Sequence, residues 1–341
     1  MIIKSAYFEI TNKCNLNCAT CYNRSGLNAE CVEISAAQLK NSIDILSKYG
    51  LKRVLISGGE PALHSEFIKI LDLVNEYPKL SFGIVTNGTL HNQDLIDMLN
   101  EKNNFTLQIS LDGSTEELNA KTRGAGNFNK TIEFARQINK QDNIPLMKSV
   151  LSQNNIDDVE NFYRLAVSLN FIPEFAFITR RGNANEIWEE LCLSSKQKIK
   201  VLKQIDSLNK ECGKEAFLPL CTSGCPYASG EKQLNLCIKT DGAIQPCSPL
   251  YEPEHTLGNM FDFDEKYFLE RILYISELAM KRESLDYHCG KCILKDECKK
   301  GCMAFAFILN GDVYANDEEC DLRKMQFIGL DLGKTLKIKN I

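Results

Sequence analysis

Three cysteines near the start of the chain, Cys14, Cys18 and Cys21 in the stretch TNKCNLNCATCY (Thr11–Tyr22), stand close enough together to act as one unit. A cubane iron–sulfur cluster has four iron corners and is normally held by four Cys thiolates. Three thiolates from one loop therefore leave one iron open, and an open corner is where a metal centre does chemistry. Two plainer readings compete. A zinc site draws on pairs of Cys two to four apart with a second pair downstream, and no such pair occurs in the first 190 residues. The other reading is three ordinary buried cysteines, which a chain holding 15 Cys can supply by chance.

Nine of the 15 Cys crowd between Cys221 and Cys320. Cys289, Cys292, Cys298 and Cys302 read CxxCx5CxxxC with Cys320 beyond them, and Gly242 and Cys247 read Gx4C with Cys221, Cys225 and Cys237 before them. So many thiols among turn signals such as Asp241-Gly242 and Asn310-Gly311 point to a segment held together by metals. CxxC pairs also suit zinc ribbons, which stays the alternative for this half taken alone. Gly58-Gly59-Glu60-Pro61, Thr86-Asn87-Gly88 and Ser110-Leu111-Asp112-Gly113 are turn punctuation by themselves. Arg123 by itself reads as a solvated surface residue.

These residues need a frame. Over the first 180 residues, β-rich runs at Ala6–Ile10, Arg53–Ser57, Ser81–Thr86, Thr106–Leu111, Leu146–Leu151 and Glu174–Thr179 alternate with segments of helical period. Ser35–Gly50 opens with Ser35 and Gln38 in capping-box relation, repeats Leu39, Ile43 and Leu46, and stops at Gly50. Asn155–Leu169 repeats Ile156, Val159, Phe162 and Ala166 in the same way. The alternation predicts a parallel sheet with right-handed crossovers. Six units are fewer than the eight of a closed TIM barrel, and in such folds chemistry sits at the C-terminal ends of strands, where each N-terminal motif falls. A long helix over Ser194–Asn209, with Leu202, Ile205 and Leu208 on a buried face, bridges to the cysteine-rich half.

Composition bounds the function. At 341 residues, 44% hydrophobic and 25% charged, the chain is built for one large domain or two smaller ones. Its net charge is −5 and no Lys/Arg block is interleaved with aromatics, which argues against a nucleic-acid partner. Met1–Ile10 lacks the apolar core of a signal peptide, and no apolar run is long enough to cross a bilayer. The expectation is a cytoplasmic protein with no membrane partner. Thiols there stay reduced, so an odd number of Cys argues for metal ligation over a disulfide framework.

The loop around Cys14, with Tyr22 directly after its last Cys, resembles the CxxxCxxC signature of the radical S-adenosylmethionine (SAM) enzymes. The C-terminal pattern resembles the SPASM extension that some of them carry, and the resemblance spans about residues 8–320. It implies an α/β fold: an open partial (β/α)6 TIM-like barrel with a small cysteine-rich C-terminal domain. The implied division is 1–185 for the barrel, 186–212 for a bridging helix, 213–325 for the SPASM domain and 326–341 for a tail. By the family's pattern Cys14, Cys18 and Cys21 hold a [4Fe–4S] cluster whose fourth iron chelates SAM. Gly58, Gly59, Glu60 and Pro61 would meet the SAM amino group, with Ser110 and Tyr22 also in the cofactor site and Asn87 a secondary candidate. Arg123 would pair with the SAM carboxylate, for which a guanidinium offers two parallel donors. Cys289, Cys292, Cys298 and Cys320 would hold one auxiliary [4Fe–4S] cluster. Cys302 would cross to another, joining Cys247, Cys225 and Cys237, with Cys221 to spare, so the implied total is three clusters. Cys31, Cys192, Cys212 and Cys221 then read as small buried hydrophobes.

The implied activity is reductive cleavage of SAM to a 5′-deoxyadenosyl radical that abstracts hydrogen from a substrate. The leading substrate is a peptide undergoing post-translational modification: crosslinking, thioether formation, epimerisation or oxidation. Within enzymes the alternatives are a dehydrogenase of a small molecule, such as a sugar or amino acid, and a sulfatase-maturase-like formylglycine-forming enzyme. Ser248 counts against the latter, because that group carries Asp directly after its Gx4C cysteine. A non-enzymatic iron–sulfur electron carrier is the alternative outside enzymes. The expected partners are the peptide and an electron donor of the flavodoxin or ferredoxin type. Because the first strand opens almost at once, no winged-helix domain is expected, and a separate leader-peptide-binding protein could supply that role. No side chain takes a catalytic label. His64, His91, His255 and His288 read as surface or packing residues, while Tyr22, Arg180 and Arg181 stand near strand ends where they could face a cavity.

Overall fold

The structure is a computed structural model that describes residues 2–26, 30–139, 142–217, 224–229, 233–285, 289, 291–292, 294–317 and 319–328. Its frame is a run of strand and helix: β1 (Ile2–Thr11), α1 (Ala36–Ser47), β2 (Arg53–Gly58), α2 (Phe67–Glu76), β3 (Ser81–Thr86), α3 (Gln93–Glu101) and β4 (Phe105–Ser110). It continues through α4 (Glu116–Arg123), α5 (Phe128–Arg136), β5 (Leu146–Leu151), α6 (Val159–Ser168) and β6 (Ile172–Phe177). β1 to β6 pair in parallel, each beside its neighbour in sequence, as the alternation of patterns predicts.

The local signals do what their chemistry dictates. Ser35 and Gln38 close a full capping box at the start of α1, satisfying donors that a helix N-terminus leaves orphaned. On β1 the period of two sends Ala6, Phe8 and Ile10 into one fully buried apolar core, shared with Leu39, Ile43 and Leu46 of α1. Burying each of the larger side chains among them contributes about 1.5–3 kcal/mol, so the helix-facing layer is what stabilises the strands. The opposite face of the sheet is polar. Tyr7 bonds to Ser57, Lys148 pairs with Glu174 at 2.8 Å, and Glu9 pairs with Lys239. An interior lined by paired polar groups leaves room that apolar layers would fill.

After β6, a short helix α7 (Trp188–Leu191) leads to α8 (Ser195–Cys212), capped by a second box between Ser194 and Gln197 and buried through Leu202, Ile205 and Leu208. The cysteine-rich half then returns to the sheet. β7 (Gln233–Ile238) lies parallel to β1 on the side away from β2, with Tyr7 opposite Cys237, and β8 (Ile244–Gln245) folds back antiparallel. The sheet order is thus β6-β5-β4-β3-β2-β1-β7-β8. The remaining helices are α9 (Glu265–Ser284), α10 (Lys295–Cys298), α11 (Met303–Asn310) and α12 (Cys320–Ile328). Among the described residues no helix is long and apolar enough to cross a membrane.

Candidate active site

The chain leaves β1 at Thr11 and enters the loop that carries Cys14, Cys18 and Cys21. That loop is held from four directions. From the end of β2, Gly59 N donates to Thr11 O at 2.6 Å and Glu60 N donates to Lys13 O at 2.8 Å. A Cβ on Gly58 would stand 2.3 Å from Thr11 O, and one on Gly59 2.1 Å from Lys13 O, so only glycine allows the approach. From the end of β3, Asn87 Nδ2 donates to Asn15 Oδ1 at 2.9 Å and lies 3.9 Å from Cys14 Sγ. From α4, Thr122 O accepts from Ala19 N at 2.8 Å. From beyond β6, Asn183 donates twice, backbone N to Cys21 O and Nδ2 to Cys18 O, each at 2.9 Å.

So braced, the thiols face one another. Burial pushes Cys14 up to about 11 and Cys18 up to about 12, and in both cases the neighbouring thiols add to the rise while Arg123 opposes it. A buried thiol keeps its proton until something cationic takes the proton's place, and iron is such a replacement. Three thiols on a rigid loop, with the Arg123 guanidinium of α4 beside them, are a ligand set that fits a cubane cluster with one corner left for a ligand.

The other expected cofactor residues fall into two groups. Gly58 and Gly59 spend their freedom on the thiol loop. Glu60 is fully buried, with Oε1 accepting from Thr86 Oγ1 at 2.8 Å and Oε2 from Asn87 N at 2.8 Å. Its carboxylate ties the β2 turn to β3, and Pro61 opens the single helical turn Pro61–Leu63 behind it. Both oxygens that the sequence pattern directs at a SAM amino group thus already carry protein donors. Ser110 ends β4, half-buried, opposite Lys148. Arg123 does face the thiols, and the surface reading of it does not hold. Its Nε lies 2.9 Å from Asp112 Oδ2 in a nearly closed ion pair, while Asp112 Oδ1 accepts from Val150 N at 2.8 Å. Burial works against its charge, but Asp112 and the thiols more than offset that and raise its pKa. No described residue pairs with its two terminal nitrogens.

Tyr22, Arg180 and Arg181 all line one cavity of about 390 Å³. The cysteine-rich half closes it with Lys239, Tyr251 and Phe307. The Tyr22 hydroxyl stands 2.7 Å from that of Tyr7, and burial raises the pKa of both phenols, so each stays protonated at neutral pH. Gly182 packs over the thiol loop so closely that a Cβ would meet Cys21 O at 2.2 Å. The cavity therefore begins where the thiol loop ends.

In the C-terminal half, Cys289, Cys292, Cys298 and Cys320 line one cavity. Four cations stand around it: Lys295, Lys300, Arg323 and Lys324. Arg323 donates from Nε to Cys298 Sγ at 3.1 Å and is ion-paired with Asp317. Fully buried Arg282 on α9 donates to the carbonyls of Val313, Ala315 and Lys300, pinning the loops between. Cys302 leaves its own run and bears on Cys225 and Cys247: burial pushes Cys225 up to about 12 and raises Cys247 as well, and Cys302 adds to both. Among the described residues no three Cys, His, Asp or Glu lie close enough for a single metal ion. A cubane, which gives each thiolate its own iron corner, asks for a wider set.

One ligand assignment gains no support from the structure, and one expectation of burial needs correcting. Cys237, placed with that trio from the sequence, sits on β7 with its thiol 3.9 Å from Glu9 Oε1, and Glu9, Lys239 and Arg181 are the charges that bear on it. It touches the trio only as the weakest influence on Cys247. Cys31, read as buried, is exposed, and Cys192 and Cys212 are half-buried. Cys221 and His288 lie outside the described residues. His64 packs, with Nε2 donating to Ile34 O and Nδ1 accepting from Glu66 N, each at 2.9 Å, and His255 packs edge-on against Phe307. His91 is exposed. Sequence reasoning missed Asp112 and Asn183. Both carry the glycine-flanked look of turns, and only an Asp set between a strand end and an arginine-bearing helix hinted at more.

A model of the radical SAM superfamily matches residues 8–166. The mycofactocin maturase MftC of Mycolicibacterium smegmatis is 25% identical over 325 residues, covering 92% of this chain and 81% of that protein. Among solved structures, native anSMEcpe with bound AdoMet aligns at a TM-score of 0.76 with 20% identity, covering 97% of this chain and 98% of that one. Streptococcus suis SuiB bound to the precursor peptide SuiA aligns at 0.72 with 17% identity, covering 94% and 76%. These likenesses identify the sheet of β1 to β6 as a partial TIM-like barrel of the kind those structures share.

Proposed function

With residues 8–166 a radical SAM domain, we propose that the chain is a radical SAM/SPASM enzyme that modifies a peptide. One observation carries the reading: a braced trio of half-buried thiols opens, through Tyr22, onto a cavity that the cysteine-rich half closes. When bound, the cluster and SAM supply one-electron cleavage of the sulfonium and a 5′-deoxyadenosyl radical able to take hydrogen from a substrate. Cys14, Cys18 and Cys21 would hold that cluster. Arg123, fixed through Nε by Asp112, keeps two terminal donors for the SAM carboxylate. Ser110 at the end of β4 and Tyr22 on the cavity wall would complete the cofactor site, and the Gly58–Pro61 turn holds the loop in register. The peptide is supported by what the relatives are called, a maturase and a protein seen with a precursor peptide.

In the same reading, residues 1–185 form the barrel, 186–212 the bridge, 213–325 the SPASM domain and 326–341 a tail. Cys289, Cys292, Cys298 and Cys320 would hold one auxiliary cluster and Cys225, Cys247 and Cys302 most of another, with Cys237 or Cys221 as fourth ligand. The enzyme would act as an oxidoreductase in the cytoplasm, fed by a flavodoxin or ferredoxin and aided by a separate leader-peptide-binding protein.

Anaerobically reconstituted protein, given dithionite and SAM, is expected to release 5′-deoxyadenosine and to change the mass of a cognate peptide. Intact SAM after reduction would sink the reading as a radical enzyme. 5′-Deoxyadenosine whose formation is stimulated by a sugar or free amino acid, with every peptide left unchanged, would replace the peptide with a small molecule.

A further inference from the structure

The cavity beside Tyr22 carries an unbalanced charge. Two of its four cations are already paired, Arg24 with Glu186 at 3.1 Å and Lys239 with Glu9. Arg180 and Arg181 have no carboxylate partner among the described residues, and Glu252, the one carboxylate on the wall, forms an ion pair with neither. Arg181 is the telling one. It is only 6% exposed, yet its Nε has no hydrogen-bond partner, and what it does contact is neutral. Nη1 donates to Ser248 O, while the guanidinium lies 3.5 Å from the ring centre of Tyr251 and 5.1 Å from that of Tyr22. A charge this deeply buried is costly unless an anion joins it. Stacking on two tyrosines compensates in part and holds the planar group ready. Arg180, exposed beside it, uses only Nε, donating to Asn185 Oδ1 at 3.2 Å.

Position adds to charge. Tyr22 follows Cys21 of the N-terminal trio and Ser248 follows Cys247 of the C-terminal trio, so Arg181 spans the gap between the two thiol centres. We infer that this cavity selects a substrate segment presenting a carboxylate, which Arg181 and Arg180 grip between them. The inference rests on the peptide-modifying reading and narrows its substrate to peptides carrying that group at the reacting segment. The carboxylate is either an Asp or Glu side chain or the C-terminus of the peptide itself.

The test uses anaerobic holoenzyme saturated with SAM and three hexapeptides identical except at the carboxylate, titrated by calorimetry. One carries Glu and a C-terminal amide, one Gln and an amide, one Gln and a free C-terminus. A guanidinium–carboxylate contact is expected to favour a charged probe by about tenfold over the neutral one, and the charged probe that wins identifies the source. Arg181→Gln and, for the case where that buried change unfolds the protein, exposed Arg180→Gln should each bring the favoured probe down toward the neutral one. Equal binding of all three probes, including no measurable binding, would overturn the inference, as it would if the carboxylate of SAM itself occupied Arg181. So would a preference that survives in both variants. The peptide-modifying reading fails on a separate readout, the product mass, and can stand while this narrower claim falls.

Discussion

On the proposed reading, the two ends of the chain use the same residue for opposite purposes. The N-terminal loop offers three thiols, is pinned by backbone contacts that only glycines permit, and opens onto a cavity through Tyr22. The C-terminal centre surrounds its cavity with four thiols, rings them with cations, and is pinned by one buried arginine. An incomplete ligand set leaves a corner for a reactant, whereas a complete one stores or passes electrons and ties loops together. On that reading, what would separate chemistry from structure is the number of cysteines that converge, and not their kind.

The widest separation between the two should come from removing thiols. Changing Cys14, Cys18 or Cys21 to Ala is expected to abolish 5′-deoxyadenosine release. Cys320→Ala should lower iron from about twelve to about eight per chain while leaving detectable SAM cleavage in the absence of peptide. Equal loss in both would erase the contrast. Next in size, Arg282→Leu orphans three buried carbonyls and should cost about 3–5 kcal/mol in denaturant unfolding, with the C-terminal iron lost first. Gly59→Ala forces a contact against Lys13 O and should destabilise by about 1–3 kcal/mol, lowering iron at the N-terminal loop and sparing the auxiliary centres. An alanine there that loads iron normally would show the glycine is no brace. The smallest effect is expected of Cys237→Ala. With its thiol turned to Glu9, iron content should hold and stability fall by about 1 kcal/mol; a drop of about four irons would return Cys237 to the ligands.

Much of this was written locally. Capping boxes at Ser35 and Ser194, and the apolar periods of the strands, need only neighbours within a few residues, so the six parallel strands and their helices could be read in advance. The convergence of Cys302 with Cys225 and Cys247 was legible only through the resemblance, because the three span almost eighty positions. Other features depend on partners that nothing local announces. Asp112 looks like a turn residue until Arg123 and Val150 close on it. Which face Cys237 presents depends on its register with Tyr7, and that pairing is set across more than two hundred residues. Arg181 could be placed near a strand end, but not its missing counter-ion, since an absent partner leaves no mark in a sequence.

The pairing of β7 with β1 has a consequence for how the molecule is made. The strand from which the thiol-bearing loop springs is made well before residues 233–238, so its second flank stays bare until they arrive. Throughout that interval the nascent sheet presents an open edge of unpaired amides and carbonyls. Capture of that edge by another strand would keep β7 from taking its place, so the sheet is most exposed to mispairing before its last strands are made.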